Sequence, residues 1–186
     1  MTSSTTAAGR SKTLDMAYIA LFTVLIAVCA WISIPTLVPF TLQTFGIFLA
    51  TAVLGGKRGS LAVAVYLLLG AVGVPVFANF TGGLGMLLGV TGGYLVGFLF
   101  IALVMWAMER LLGKKLWVLV VSMVLGLAVC YAFGTAWFMI AYANTTGPIG
   151  LGAALWMCVI PYLIPDGIKL LLAVLLSRRL SAVLKV

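Results

Sequence analysis

Two ionisable side chains stand in an otherwise apolar stretch near the end of the sequence. Asp166 and Lys169 belong to the run IPYLIPDGIKLLLAVLL, which occupies residues 160–176. A spacing of three places both side chains on one helical face, close enough to pair. An ionisable group within a membrane span costs at least about 2.5–3.5 kcal/mol, so it requires a reason. The pair is therefore either a self-neutralising structural ion pair or part of a ligand pocket.

Two prolines just before this pair favour the pocket. Pro161 and Pro165 disturb a helix and free backbone carbonyl groups. A membrane tolerates such groups only where protein or a cavity satisfies them. Asp166 and Lys169 are therefore expected to face the interior of a helical bundle.

Uncharged polar residues elsewhere could converge on the same pocket. Gln43 begins an apolar stretch, and Asn79 lies in a connection over residues 75–93 that contains six glycines. Glycine at this density lets a backbone approach a ligand closely, although a flexible surface loop has the same composition. Whether these residues meet Asp166 and Lys169 depends on helix packing, which the sequence does not reveal.

The composition predicts an all-α integral membrane protein. Apolar residues make up 65% of the 186 residues and charged residues 8%, and the mean hydropathy is +1.30. Soluble domains have about 25% charged residues, so lipid must be much of the solvent here. The apolar stretches are continuous, whereas strands of a membrane barrel alternate apolar and polar residues.

A bundle of six membrane-spanning helices fits the apolar stretches. One domain is expected over residues 1–186, with a disordered tail at 1–12 and no cleavable signal. The six predicted spans cover residues 14–34, 42–54, 60–74, 94–112, 116–143 and 153–176.

The positions of the basic residues support this count. Ten of the eleven Lys and Arg residues fall on one side of the membrane if there are six spans. The positive-inside rule then places both termini in the cytoplasm. Lys169 is the exception. The ten residues are Arg10, Lys12, Lys57, Arg58, Arg110, Lys114, Lys115, Arg178, Arg179 and Lys185.

Motifs of enzymes, metal sites and nucleic-acid binding are missing from the sequence. It has no Walker A, GxSxG or HExxH pattern, no histidine, and no basic stripe with interleaved aromatic residues. Cys29, Cys130 and Cys158 lie in apolar stretches and are interpreted as small buried hydrophobic residues. Asp15 and Glu109 are interpreted as charges at the membrane interface. We therefore expect no enzymatic activity, metal or cofactor.

Four segments of the chain resemble a known family. They are residues 38–50 (VPFTLQTFGIFLA), 54–77 (LGGKRGSLAVAVYLLLGAVGVPVF), 82–98 (GGLGMLLGVTGGYLVGF) and 164–173 (IPDGIKLLLA). In combination and order they resemble the biotin-specific substrate-binding subunit, or S component, of the energy-coupling-factor (ECF) vitamin transporters, the BioY family. The fifth span carries little of this resemblance.

The resemblance implies a cell-membrane subunit that captures biotin from outside. Uptake would need a transmembrane T component and cytoplasmic ATPase subunits as partners. The pocket would be built from the Gly-rich connection and the sixth helix, with Phe77 as a further apolar contact. The implied biotin-binding residues are Gln43, Asn79, Gly92, Gly93, Tyr94, Asp166 and Lys169.

Within this interpretation, two questions remain open. Lys169 could donate to the ureido carbonyl of biotin or to its carboxylate. The second question is which face of the first helix meets the T component. Small residues four apart are typical of this contact, but here Ala17 is followed by Leu21 and Ala20 by Val24. The alternative function is a stand-alone carrier or oligomeric channel for another small organic solute.

Overall fold

The computed structural model describes residues 4–36 and 38–184, and side chains from 12 to 180 apart from residue 37. Within these residues the chain is mostly helical, as the composition predicts. The helices are α1 (Ser4–Trp31), α2 (Gln43–Leu54), α3 (Gly56–Ala71), α4 (Leu84–Leu88), α5 (Gly92–Leu112), α6 (Leu116–Thr145), α7 (Leu151–Cys158) and α8 (Ile160–Leu184).

Helix α2 is the central element of the bundle. Ten of its 12 residues are buried, and it packs against α1, α3, α5 and α8. A helix surrounded on all sides by other helices has to be apolar all round. Its even hydrophobicity therefore follows from its position.

Helices α5 and α6 pack closely along their lengths. A Cβ atom on Gly97 would lie 2.7 Å from Cys130 Sγ, and one on Gly126 would lie 3.0 Å from Ile101 Cα. Small residues at such contacts let two membrane helices approach each other closely. Cys130 is buried in this interface, and Cys29 and Cys158 are buried elsewhere, as predicted.

Four helical segments are long and apolar enough to cross a membrane. They cover residues 12–31, 92–112, 116–145 and 151–180, and α2 is a shorter apolar helix. Large apolar side chains on their outer surfaces are exposed, among them Leu21, Val24, Ile164 and Leu171. Exposed apolar surface of this extent identifies a membrane protein.

Several predicted boundaries are wrong. The third helix begins at Gly56, four residues before the predicted start at residue 60. Gly55 supplies a left-handed turn with φ 80°, and the Glu109 carboxylate accepts a hydrogen bond from the Gly56 N–H. This contact satisfies a donor that a helix N-terminus otherwise leaves free.

The connections contain structure that the sequence did not predict. Residues 75–93 form a 3-10 turn at Ala78–Phe80 and the short helix α4. Strands β1 (Ser33–Ile34) and β2 (Phe40–Thr41) pair antiparallel between α1 and α2. The predicted sixth span is divided at Val159, between α7 and α8.

The predicted disordered tail, residues 1–12, is only partly covered by the described residues. Residues 1–3 lie outside them, and α1 includes residues 4–12. Asp15, for which the sequence predicts a position at the membrane interface, forms an ion pair in which its Oδ1 lies 2.9 Å from Arg58 Nη2.

The approach of α3 to α5 gives the first prediction. A Cβ atom on Gly56 would lie 2.3 Å from Trp106 Cα. We therefore expect Gly56→Ala to lower the free energy of unfolding by about 1–3 kcal/mol, the usual cost of overpacking. Thermal unfolding of the detergent-purified protein measures this change.

Gly152→Ala is the matched control. Gly152 is also helical, and a Cβ atom there would have nothing within 4 Å, so its melting temperature should be unchanged or slightly raised. Equal melting temperatures for Gly56→Ala and wild type would contradict the close helix contact.

Candidate functional site

A cavity lies where α2, α5, α6 and α8 converge below the β1–β2 ribbon. Its empty volume is about 710 Å³, including the part open to solvent. The lining is largely apolar and aromatic, with a few polar groups. The lining residues are Val38, Pro39, Thr41, Gln43, Thr44, Phe77, Ala78, Met86, Thr91, Tyr94, Leu95, Phe98, Leu127, Cys130, Tyr131, Cys158, Tyr162, Asp166 and Lys169.

Asp166 is the most highly coordinated polar group in the cavity wall. Its Oδ1 accepts hydrogen bonds from Thr44 Oγ1 at 2.9 Å and from Lys169 Nζ at 2.7 Å. Its Oδ2 accepts a hydrogen bond from the Tyr131 hydroxyl at 2.5 Å. The residue is only 3% exposed. Three donors from α2, α6 and α8 therefore compensate for the burial of this carboxylate.

Lys169 is held between the carboxylate and an aromatic ring. It is 5% exposed, and its Nζ lies 4.6 Å from the centroid of the Phe40 ring. An ammonium group over a ring face is attracted by the ring's electron density. The predicted i,i+3 pairing with Asp166 is present in the structure.

The prolines position this pair at the start of α8. Helix α8 begins at Ile160, so Pro161 occupies the first turn, where a missing N–H costs little. Pro165 lies inside the helix and removes the donor that would bond to the Pro161 carbonyl. Asp166 follows directly, with its side chain in the cavity rather than in lipid.

Gln43 and Tyr66 tie α2 to α3 beside the cavity. Gln43 Nε2 lies 2.6 Å from the Tyr66 hydroxyl, which donates to the Val76 carbonyl at 3.1 Å. The Tyr66 and Phe77 rings meet edge to face at 5.6 Å. These contacts fix Phe77 in the wall, as the sequence suggested.

Tyr94 contributes a second aromatic wall from α5. Its hydroxyl lies 2.9 Å from Thr135 Oγ1 on α6. A Cβ atom on Gly134 would lie 2.3 Å from the Tyr94 ring. A glycine at position 134 therefore makes room for the ring between the two helices.

Tyr162 connects α8 to the segment that leads into β2. Its hydroxyl donates to the Val38 carbonyl, and its ring stacks on Phe40 at 5.8 Å. Phe40 also contacts Lys169. The segment and the ion pair are thus coupled through one aromatic residue.

The polar groups of the cavity are few and include one acidic and one basic side chain. Among residues 4–36 and 38–184, no three His, Cys, Asp or Glu side chains are grouped as metal ligands. The buried carboxylate and ammonium offer one acceptor group and one donor group side by side. Such a pair suits a ligand that itself has adjacent N–H and C=O groups.

Comparison with known proteins decides the family. The profile of the BioY family matches residues 1–186. The chain belongs to the BioY family. This confirms the resemblance that the four sequence segments suggested.

Members of the BioY family from distant organisms match most of this chain. The biotin transporter BioY of Thermotoga maritima is 46% identical over 162 residues, which is 87% of this chain and 92% of that protein. The probable biotin transporter BioY of Pyrococcus horikoshii is 38% identical over 171 residues, 91% and 98% of the two chains.

A solved structure shares the fold of this BioY-family chain. It is the crystal structure at 2.1 Å of the S component for biotin from an ECF-type ABC transporter. The TM-score is 0.80 at 27% identity, and the match covers 92% of each chain. The S-component fold is therefore common to both proteins.

Four of the seven predicted site residues line the cavity, and three do not. Gln43, Tyr94, Asp166 and Lys169 meet there. Asn79 is exposed in the 3-10 turn next to Ala78, and its Oδ1 accepts a hydrogen bond from Ser33 Oγ at 3.0 Å.

Gly92 and Gly93 shape the packing behind the cavity. A Cβ atom on Gly92 would lie 1.8 Å from the Leu87 carbonyl oxygen, and one on Gly93 would lie 2.3 Å from Trp137 Cβ. Both positions therefore need glycine so that α5 can pack against α4 and α6. Contact of Asn79, Gly92 and Gly93 with a ligand stays a prediction.

Sequence reasoning missed Thr44, Tyr131, Phe40 and Tyr162. Thr44 lies one residue after Gln43, and an α-helix turns about 100° per residue, so adjacency alone did not place both at the cavity. Tyr131 lies in the fifth span with no charged neighbour. One signal was available: a buried Asp166 carboxylate needs more hydrogen-bond donors than Lys169 alone can supply.

The ion pair gives the second prediction. Lys169→Met leaves the Asp166 carboxylate buried with only the hydroxyl donors Thr44 and Tyr131. Removing one partner of a buried pair costs about 3–5 kcal/mol, so the free energy of unfolding should fall by this order. Denaturant unfolding in detergent measures it.

The double variant Asp166→Asn/Lys169→Met is the matched control. It removes both charges, so it should regain part of the lost stability. A Lys169→Met variant as stable as wild type would show that the pair is not needed to compensate the buried carboxylate.

Proposed function

We propose that this chain is the biotin-binding S component of an ECF-type uptake transporter. The observation that carries the proposal is the buried Asp166–Lys169 pair in the wall of an apolar cavity, in a chain of the BioY family. The chain captures biotin from the outer side and has no ATPase motif of its own.

The polar groups of biotin match the donors and acceptors of the pair. The ureido ring of biotin offers two N–H donors and one carbonyl acceptor, and its tail ends in a carboxylate. A carboxylate has about four lone-pair positions, and Asp166 uses three of them. One position on Oδ2 is therefore free to accept a ureido N–H.

Lys169 has donors to spare as well. Its ammonium group carries three N–H donors, one of which bonds to Asp166. Because Lys169 Nζ is bonded to Oδ1 of the same carboxylate, its remaining N–H donors and the free position on Oδ2 lie side by side. Together they match the adjacent C=O and N–H groups of a ureido ring. We propose that Lys169 donates to the ureido carbonyl rather than to the biotin carboxylate.

The apolar lining suits the remainder of the ligand. Phe77, Leu95 and Phe98 are almost completely buried and line the cavity together with the Tyr94 ring. The fused ring and the aliphatic tail of biotin would pack against these side chains. Placing Asn79 in contact with biotin, as predicted, requires its turn to move towards the neighbouring cavity residues.

The proposed topology has six spans and both termini in the cytoplasm. The α7–α8 unit would form the sixth span, with α2 and α3 as short spans beside α1. Lys114 lies 3.4 Å from Glu109 Oε1, and Glu109 also bonds to Gly56 beside Lys57. This clustering of charges at one end of the bundle supports the proposal.

Uptake would require partners in the same membrane and in the cytoplasm. We propose that a T component and ATPase subunits are these partners. The chain itself is a single domain that supplies only substrate capture. Co-purification with an ATPase would separate this role from the alternative of a stand-alone carrier or channel. Purification as a fully active carrier without an ATPase would favour that alternative.

Loss of either charge is expected to weaken biotin binding. A hydrogen bond to a charged group contributes about 1.5–3 kcal/mol, so Asp166→Asn and Lys169→Ala should each weaken biotin binding at least about tenfold. Equilibrium binding of labelled biotin to detergent-purified protein measures this affinity, with a stoichiometry near one per chain expected for wild type.

Lys57→Ala is the matched control, since Lys57 is exposed on α3 and outside the cavity. Its biotin affinity should equal that of wild type. Near-normal affinity in both folded site variants would overturn the assignment of the site.

The biotin methyl ester tests the orientation of the ligand. If Lys169 contacts the ureido carbonyl, the loss of binding free energy caused by esterification of biotin and the loss caused by Lys169→Ala should be additive. If Lys169→Ala abolished the difference between biotin and its ester, Lys169 would instead bind the carboxylate.

A further inference from the structure

A second cavity lies at the opposite end of the bundle from the Asp166–Lys169 pair. It is enclosed by the end of α2, the turn between α5 and α6, the first turns of α6 and the late part of α8. Its empty volume is about 990 Å³, including the part open to solvent. The proposed biotin site does not involve any of the residues that line it.

The lining of this cavity has an excess of positive charge. Lys114, Lys115 and Arg178 line it, with Glu109 as the one acidic residue among the lining. Glu109 is already bonded to Lys114 and to the Gly56 N–H. Within the described chain, Lys115 and Arg178 form no ion pair with an acidic side chain. Two cationic groups are therefore available for an anion.

The start of α6 adds further donors at the same place. Lys115 is the N-terminal cap residue of this 30-residue helix, and no side chain caps its first turn. Leu116 and Val118 of that turn line the cavity. Free N–H groups and the positive end of a helix dipole favour an anion. They add to the two cationic side chains and do not by themselves define the site.

The surroundings of the cavity are those of a membrane interface. Trp117 is 53% exposed, and Leu111, Leu112 and Leu116 beside it are exposed as well. Tryptophan next to basic residues is typical of the level at which lipid headgroups lie. Basic pockets between membrane helices bind the headgroups of anionic lipids. The apolar rim can contact acyl chains, which a soluble anion does not have.

We propose that this cavity binds the phosphate group of an anionic phospholipid. Lys115 and Arg178 pair with the phosphate, and the first turn of α6 donates backbone N–H groups to it. The lipid then links α6 to the end of α8, two elements that leave this cavity between them. Anionic lipid is therefore expected to stabilise the bundle independently of biotin.

The test uses the full chain, delipidated in a neutral detergent. Phosphatidylglycerol, phosphatidylcholine and inorganic phosphate are added separately, and melting temperature and lipid retention in native mass spectrometry are recorded. Phosphatidylglycerol should raise the melting temperature and remain bound, with little effect from the other two. Equal stabilisation by phosphatidylcholine or by inorganic phosphate would overturn the proposal.

Substitutions of single basic residues test the site, with Arg179 as the matched control for Arg178. Lys115→Gln and Arg178→Gln should each weaken phosphatidylglycerol binding about fivefold, the factor that corresponds to about 1 kcal/mol per basic residue. Arg179→Gln removes the same charge one residue away, outside the cavity lining, and should leave binding unchanged.

Two further measurements keep misfolding and function apart. Biotin binding by each variant shows whether it is folded, and Lys115→Arg should restore lipid retention because it keeps the charge. If Arg179→Gln weakened lipid binding as much as Arg178→Gln, the effect would be general surface charge and the site would be excluded. Failure of wild type to bind biotin would count against the proposed function and not against this site.

Discussion

Burial of the Asp166 carboxylate constrains how the helices of the bundle pack. Lys169 neutralises the carboxylate from the same helix, α8, and donates one hydrogen bond to it. Two further donors come from α2 and α6. The helices that supply them therefore have to meet at one point. A buried charge that is left unpaired is costly, so this meeting point is specified more strongly than apolar packing alone would specify it.

Glycine residues allow the close approach of α5 and α6 beside the cavity. A Cβ atom on Gly97 would lie 2.7 Å from Cys130 Sγ, and one on Gly134 would lie 2.3 Å from the Tyr94 ring. Tyr94 fills the space beside Gly134 and completes the cavity wall. Helix packing and the site are thus parts of one arrangement, in which glycine positions decide where aromatic rings can lie.

The sequence predicted the centre of the site better than its periphery. Lys169 stood out because it was the single basic residue that the six-span topology did not explain, and four segments carried the family resemblance. Tyr131 could not be found in this way, since a tyrosine in an apolar span has no distinctive pattern. The division of the last helix at Val159 and the β1–β2 ribbon depend on tertiary contacts, such as those of Phe40 with Tyr162 and Lys169, which local sequence does not encode.

In the proposed function, the Asp166–Lys169 pair is the polar recognition element for biotin. A structure of this chain with biotin bound would show these contacts themselves. We expect the ureido ring in the cavity, with one N–H within hydrogen-bond distance of Asp166 and the carbonyl within reach of Lys169. Biotin bound outside this cavity, or within it but without contact to either residue, would rule out this role of the pair.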